Sequence, residues 1–551
     1  MNSLLKNEGM PDDKRLTKTL CPNSWKDTYF KPDTNVKINR GKMQEIIIDG
    51  NSLSLEAVGQ VANENYPIRL ADSSIAKVKK CREYVDQVIA NGDVVYGLTT
   101  GFGKFSTVNI ATENIAELQL NLIRSHSCSV GPPYDEVTTR AIMLLRIAVL
   151  AKGHSGIRLE TLQTLIAMLN KGVHPVIPRR GSVGASGDLS PLSHLVLVLI
   201  GEGEAIYRGQ QYDGATAMQK AGIKPVELAA KEGLALNNGT QVMAAIGTLS
   251  LLRAEKLCRQ ADITAAMSID ALMGTDKAFD PLIHGLRPHP GQLLCAENLS
   301  KLMVGSPLRE SHINCDNVQD AYSLRCAPQV HGAVRDALSY ARKVLEIEIN
   351  SATDNPLIFP EEGKVISGGN FHGEPLAIAM DTMTLALCEL ANISERRIEQ
   401  ILNPALSRGL NPFLAKRPGL DSGFMIVQLT AAALISENKV LAHPAVVDSI
   451  PTSANQEDHV SMGSVSALKL MQVLKNVSNV IAIELMISAQ ALDNREYPSS
   501  AALEAAKARL RQEVPPLQED RIMYPDINAS IALIEQAEIL KAVQDTGLKI
   551  H

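Results

Sequence analysis

MGSVSALKLMQVLKNVSNVIAIELMISAQAL, residues 462–492, contains no proline and keeps a helical period throughout. Leu470, Leu474, Val477, Ile481 and Ser488 recur at three- and four-residue steps or their sum, which puts them on one face. At 1.5 Å per residue such a helix is about 45 Å long. Comparable periodic stretches cover 329–349, 374–402 and 424–441. Helices of that length bury their apolar faces against one another. The expected fold class is therefore mainly α, a long-helix bundle and not a doubly wound sheet.

Before residue 240 the pattern is more mixed. MQEIIIDG, from Met43, reads as a short strand ending in a turn, 53–91 as helical, and YGLTTGFG (96–103) as a glycine-bearing loop. Helical spacing returns over 136–171, with breaks at Gly153 and Gly156. HPVIPRRGSVGASGDLSP (174–191) holds too much proline and glycine for a helix interior. Ser190 and Pro191 read as the N-cap and first position of the next helix. Residues 1–43 are polar, carry Pro11, Pro22 and Pro32, and show no sustained period. They read as a partly disordered extension. The expected organisation is that extension, a smaller mixed N-terminal module over 44–240, a central helical bundle over 241–495 and a C-terminal helical cap over 496–551.

With 551 residues, 45% of them hydrophobic and only 4% aromatic, the chain has ample material for a large helical core. Its net charge of −6, with both signs interspersed, offers no broad basic surface for nucleic acid or anionic membrane. Eight cysteines without a CxxC fit a reducing compartment. MNSLLKNEGMPDDKRLTK lacks the apolar core of a secretory signal, and acidic residues interrupt the basic ones a transit peptide needs. The apolar run Leu195–Ile200 is far short of the roughly 20 residues that cross a bilayer. The expectation is a soluble cytoplasmic protein.

Familiar chemistries fail on spacing. No glycine-rich run ends in Gly-Lys-Ser/Thr, and GFGKFS (101–106) lacks the third glycine of a dinucleotide fingerprint. GASGD (184–188) places Asp188 where a serine elbow needs glycine. The histidines form no HExxH and no Cys/His ligand pattern, so no metal is expected. What remains is Ala185-Ser186-Gly187 in a stiff loop. If the backbone bends tightly, the Gly187 amide nitrogen can reach the Ala185 carbonyl, since glycine has no Cβ in the way. Loss of water from the closed ring and from Ser186 would leave a conjugated exocyclic methylene, an electrophile made without external cofactor. Taken alone, the triplet reads more readily as an ordinary turn that caps a helix.

Its surroundings are more specific. GSVGASGDLSPLSHL (181–195) resembles the electrophile-forming segment of the aromatic amino acid ammonia-lyases and aminomutases. YGLTTGFGKF (96–105), LALNNGTQ (234–241), QDAYSLRCAPQVHG (319–332), SGGNFHGEP (367–375) and SANQEDHVSMG (453–463) match the same family in the same order. The resemblance covers roughly residues 44 to 530. It implies an ammonia-lyase architecture of fumarase/aspartase-like type. It implies a 4-methylideneimidazol-5-one ring formed autocatalytically from Ala185, Ser186 and Gly187. It also implies a homotetramer whose active sites draw on three subunits.

The same resemblance assigns roles. Elimination of an amine needs a base at Cβ and an electron sink for nitrogen. Tyr96 matches the family's catalytic base, and Arg325 the arginine that grips the substrate carboxylate through two parallel donors. Asn238, Gln319 and Tyr322 match residues lining the ring and the amino-acid end. If 319–325 is helical, Gln319 and Tyr322 share a face, as do Tyr322 and Arg325. Phe371 matches a pocket wall, and Asp188 stands between orienting the triplet and capping a helix. In NLIRSHS (121–127), Ser125-His126 replaces the His-Leu or Phe-Leu typical of the tyrosine and phenylalanine branches. Glu457 is a carboxylate those branches generally lack. His126 and Glu457 suit an imidazole, which carries one N–H donor and one acceptor, and RPHPGQ (287–292) also resembles the histidine branch. Whether Glu457 binds imidazole or moves protons stays open. The resemblance thus implies conversion of L-histidine to trans-urocanate and ammonia, the amine adding to the methylene while Tyr96 removes a β-proton. The alternatives are a tyrosine or phenylalanine lyase, an aminomutase, or an inactive helical scaffold.

Overall fold

The computed structural model of the chain describes residues 45–551; the extension expected over 1–43 lies outside the described residues. The bundle is built from α1 (Glu136–Ala151), α2 (Leu189–Leu199), α3 (Gln241–Ala271), α4 (Tyr322–Arg325), α5 (Ala327–Glu348), α6 (Glu374–Leu402), α7 (Met425–Leu441) and α8 (Gly463–Asp493). α8 packs along both α6 and α3, and α5 lies against α6. The five apolar-face positions read from the sequence are all buried. From Val480 to Leu492 every residue of α8 is buried, so this half runs through the centre of the bundle and not along its surface. Both α6 and α8 have the length and composition to cross a membrane, yet most of each apolar window is enclosed by the other helices.

Central burial obliges the polar groups of α8 to find partners. Glu484 and Arg397 of α6 are both fully buried and joined, with Arg397 Nη2 donating to Glu484 Oε2 at 2.9 Å. Ser268 of α3 donates to the other carboxylate oxygen at 2.7 Å. One satisfied charge pair thereby ties three long helices.

Short strands cluster towards the N-terminal part. Ile46–Ile48 pairs in parallel with Ile68–Leu70, and Val173–Pro175, Glu204–Tyr207 and Gln210–Asp213 form an antiparallel sheet. That pairing corrects the reading of 53–91 as helical. The segment is two helices, Leu55–Glu64 and Asp72–Ala90, separated by a strand. Asn65 ends the first helix in a left-handed conformation, and Pro67 precedes the strand.

Two further expectations need correction. α2 begins at Leu189, so Asp188 and not Ser190 occupies the N-cap position. Ser190 is already helical, and its hydroxyl meets Ser129 Oγ at 2.7 Å. The segment 319–325 is only partly helical. α4 is a single turn from Tyr322, and Gln319 precedes it in irregular chain. Asp320 draws that stretch aside by accepting from the Thr275 amide at 2.7 Å and from Arg408 at 2.6 Å.

Candidate active site

The loop carrying Ala185-Ser186-Gly187 is clamped from both sides. Gly187 adopts φ +73°, and a Cβ there would lie 2.2 Å from the Gly239 carbonyl oxygen, so only glycine fits. The Asp188 amide donates to that same Gly239 oxygen at 2.7 Å. Asn238 Nδ2 donates to the Ser186 carbonyl at 3.0 Å. The turn 238–239 thus grips the triplet at two points. On the far side, Ser461 Oγ donates to the Gly184 carbonyl at 3.0 Å and the Met462 amide to the Val183 carbonyl at 2.9 Å. Loop 181–188 is therefore held between that turn and the start of α8.

Asp188 sits under this clamp, fully buried. It accepts from the Met243 amide at 2.9 Å and Ser464 Oγ at 3.0 Å. Burial pushes its carboxyl up to about 7, against those donors. Although it holds the N-cap position, its side chain makes no cap bond to α2. It is spent on tying the loop to α3 and α8.

Above the triplet stands Glu457. Ser186 Oγ donates to Glu457 Oε1 at 3.0 Å, while Thr452 Oγ1 and Ser453 Oγ hold Oε2 at 2.7 and 2.8 Å. Thr452 and Glu457 also pair through their backbones, fixing the tight turn between them. His126 ends the helix Ile115–His126, with Nδ1 3.0 Å from Ser125 Oγ. Burial depresses its pKa from the usual 6.5, and the Glu457 charge acts in the opposite direction. Tyr96 is half-buried in the glycine-bearing loop, and its oxygen accepts from the Gly103 amide at 3.1 Å. The following turn, Gly103–Phe105, packs on Ser453–Asn455 and brings the tyrosine loop to the Glu457 turn.

Gln319, Tyr322 and Arg325 form a second group. With the Gln319 amide oxygen turned toward it, Arg325 donates from Nη1 at 2.8 Å and Nη2 at 3.2 Å. Its guanidinium carbon lies 4.6 Å from the centre of the Tyr322 ring, and its Nε is buried without a partner among the described residues. Tyr322 itself is 71% exposed. Among the described residues no hydrogen bond, ion pair or ring contact joins this group to Ser186, Asn238, His126 or Glu457. Phe371 is half-buried in the turn before α6.

Sequence reading missed the hydroxyls of Thr452, Ser461 and Ser464, although all lie in or beside the SANQEDHVSMG stretch. It also missed two sets of metal-capable side chains that only folding assembles. Asp262, Cys295 and His331 form a buried set, and His372, Glu374 and His459 a more open one. In the first, Asp262 is already engaged by His331 at 2.8 Å and Asn298 at 2.8 Å.

Residues 53–512 match the family model described as aromatic amino acid lyase. The histidine ammonia-lyase of Alkaliphilus oremlandii is 56% identical over 91% of this chain and 99% of its own length. The crystal structure of histidine ammonia-lyase from Trypanosoma cruzi superposes with a TM-score of 0.85 at 44% identity, covering 91% of this chain and 95% of that one. The tyrosine aminomutase of Streptomyces globisporus superposes equally well, with a TM-score of 0.87 at 40% identity over 92% of this chain and 100% of that one. Architecture is thus shared across different substrates, and the discriminating features are side chains. On the extent of these matches and the clamped Ala-Ser-Gly loop, the chain belongs to the aromatic amino acid lyase family.

Proposed function

We propose that this chain is a histidine ammonia-lyase, which eliminates ammonia from L-histidine to give trans-urocanate, the first step of histidine degradation. The observation that carries this reading is the position of Glu457. It touches the hydroxyl of Ser186 with one oxygen and acts electrostatically on His126.

Members of this family use 4-methylideneimidazol-5-one, and the residues present fit that group. Gly187 has no room for a side chain, and the Ser186 carbonyl and the Asp188 amide are each held by the 238–239 turn. Ala185, Ser186 and Gly187 would form it, and once formed it supplies an electrophilic methylene that takes up the amino nitrogen as a leaving group.

The other side chains position and deprotonate. Arg325 meets the substrate carboxylate with two donors, oriented by Gln319 and stacked on Tyr322. Asn238 offers its Oδ1, a buried acceptor with no partner among the described residues, toward the amino-acid end. Tyr96 is the base at Cβ, and the Gly103 amide donates to the oxygen that carries the phenolate charge before the proton is taken. Two hydroxyls occupy Glu457 Oε2, and Oε1, which accepts from the Ser186 hydroxyl in the unmodified chain, is freed to receive an imidazole N–H once that hydroxyl has left as water. His126, kept neutral by burial, completes the polar wall, and Phe371 is assigned to the apolar wall of the pocket. A phenyl ring would offer Glu457 Oε1 no such donor.

Among the described residues no contact joins Arg325 and its companions to Ser186 within one chain, which supports a homotetramer with shared sites. The apolar face of α7 points the same way, for Leu429 and Val440 are more than half exposed. Seven free cysteines among the described residues support a cytoplasmic setting. Incubation with L-histidine, L-tyrosine and L-phenylalanine separately, following the ultraviolet band of the conjugated acid and free ammonia, tests the assignment. Turnover of histidine alone is expected. A β-amino acid product, or preference for tyrosine, would overturn it.

A further inference from the structure

Behind the 238–239 turn, on α1, lies Arg146, with Arg397 one of the two largest fully buried side chains of the described residues. Its Nη1 donates to the Asn238 carbonyl at 2.7 Å, while Nε and Nη2 are buried with no partner among the described residues. Burial pulls its guanidinium down to about 10, opposed by the charge of Asp354. Asp354 is itself engaged by Lys231 at 3.2 Å and by Ser155 at 3.0 Å. A cation buried with one hydrogen bond is a poor stabilising device, and an apolar side chain of similar length would avoid the cost of removing the charge from water. Its single bond, however, falls on the residue that grips the triplet. Asn238 holds the Ser186 carbonyl through its side chain. The next carbonyl, of Gly239, holds the Asp188 amide and stands where a Gly187 side chain would be. A bond from a charged donor is shorter and stiffer than a neutral one, and this one fixes the peptide on which both grips depend.

We infer that Arg146 is a positioning residue for ring closure: it holds the 238–239 turn so that Ala185-Ser186-Gly187 stays bent for cyclisation and the mature site stays aligned afterwards. The inference rests on the reading of 185–187 as a ring-forming triplet. In closure, the Gly187 nitrogen bonds to the Ala185 carbonyl carbon and passes its proton to that oxygen. The resulting hydroxyl leaves as water with the Ser186 amide proton, giving a carbon–nitrogen double bond. Ser186 then loses its Cα proton and its hydroxyl as a second water. No oxidant is consumed. Arg146 touches none of these atoms and acts through Asn238 and Gly239.

Intact mass, circular dichroism and steady-state kinetics of the full-length wild-type, Arg146→Lys and Arg146→Met proteins test this. The wild type is expected two waters lighter than its sequence. Arg146→Met is expected to fold with native helix content yet keep at least one of those waters. Arg146→Lys, which retains a charged donor, is expected to mature fully but to lose about tenfold in kcat with KM unchanged. A folded Arg146→Met protein at the wild-type mass with wild-type kcat overturns the inference, even if it melts earlier, because only a structural role would then remain. If Arg146→Met does not fold, Arg146→Lys decides: full maturation at the wild-type rate with wild-type kcat overturns it, and delayed loss of water or a lowered kcat supports it. Failure of both variants to fold assigns Arg146 to the fold and also overturns it. A wild-type chain at its full sequence mass removes the ring reading itself, and this inference with it.

Discussion

Glu457 binds three hydroxyls with two oxygens, and the division between them defines its task. Thr452 and Ser453 anchor Oε2, leaving Oε1 beside Ser186. Glu457→Gln keeps the shape but loses the charge, so kcat on histidine should fall by about two orders of magnitude or more while helix content is unchanged. Near-normal turnover would remove the substrate argument. Asp188 makes a separate prediction. Its folded value, about 7, lies above its ordinary 3.8, so between these limits the folded chain holds a proton that the unfolded chain has released. Its contribution to stability is therefore greatest below about pH 4 and is lost as pH rises through about 7. Compared with Asp188→Asn in urea titrations at stepped pH, the wild type should lose stability more steeply over that window. Parallel curves would contradict the burial argument. Ser186, Asn238, His126 and Glu457 were legible because each lies in an uncommon string of polar and small residues. Arg146 was not, since in LLRIAVLA it reads as one basic residue in an apolar helix, and only burial shows what it faces.

At the scale of elements, long helices were readable and short irregular ones were not. The period of 462–492 is set by local side-chain spacing, and α8 follows it to within a residue or two. Ile68–Leu70 is a strand only because Ile46–Ile48 lies alongside, a partner that no local window contains. Gln319 leaves the expected helix because Asp320 is captured by Thr275 and Arg408, again a distant contact. That every side of α8 is buried from Val480 onward explains why a one-face pattern understated its role. Its carboxylate makes a prediction at this scale. Arg397→Met strands Glu484 in the core, with only serine hydroxyls for company, and should cost about 3–5 kcal/mol by urea denaturation. The double variant Arg397→Met/Glu484→Leu should recover most of that loss. A single variant as stable as the wild type would show that the pair does not tie α6 to α8.

At the scale of the whole molecule, the residues proposed for the site fall into two groups. The Ala-Ser-Gly loop, Glu457 and His126 are linked to one another, while Arg325 and Tyr322 on a single-turn helix and Gln319 just before it form a separate group. Sites completed between subunits make a direct prediction. Co-expressed Ser186→Ala and Arg325→Ala chains, each inactive alone, should yield mixed oligomers with a measurable fraction of wild-type turnover, because some sites will draw both intact halves from different subunits. Activity no higher than that of the parents would place all the residues of a site on one chain. Each of these functional expectations depends on the chemistry of three consecutive small residues. The most direct test is the intact mass of freshly purified wild-type protein whose histidine turnover has just been measured: a chain lighter than its sequence by two waters, localised to the peptide containing residues 185–187, is the predicted result, and an unmodified mass in that active sample would contradict it.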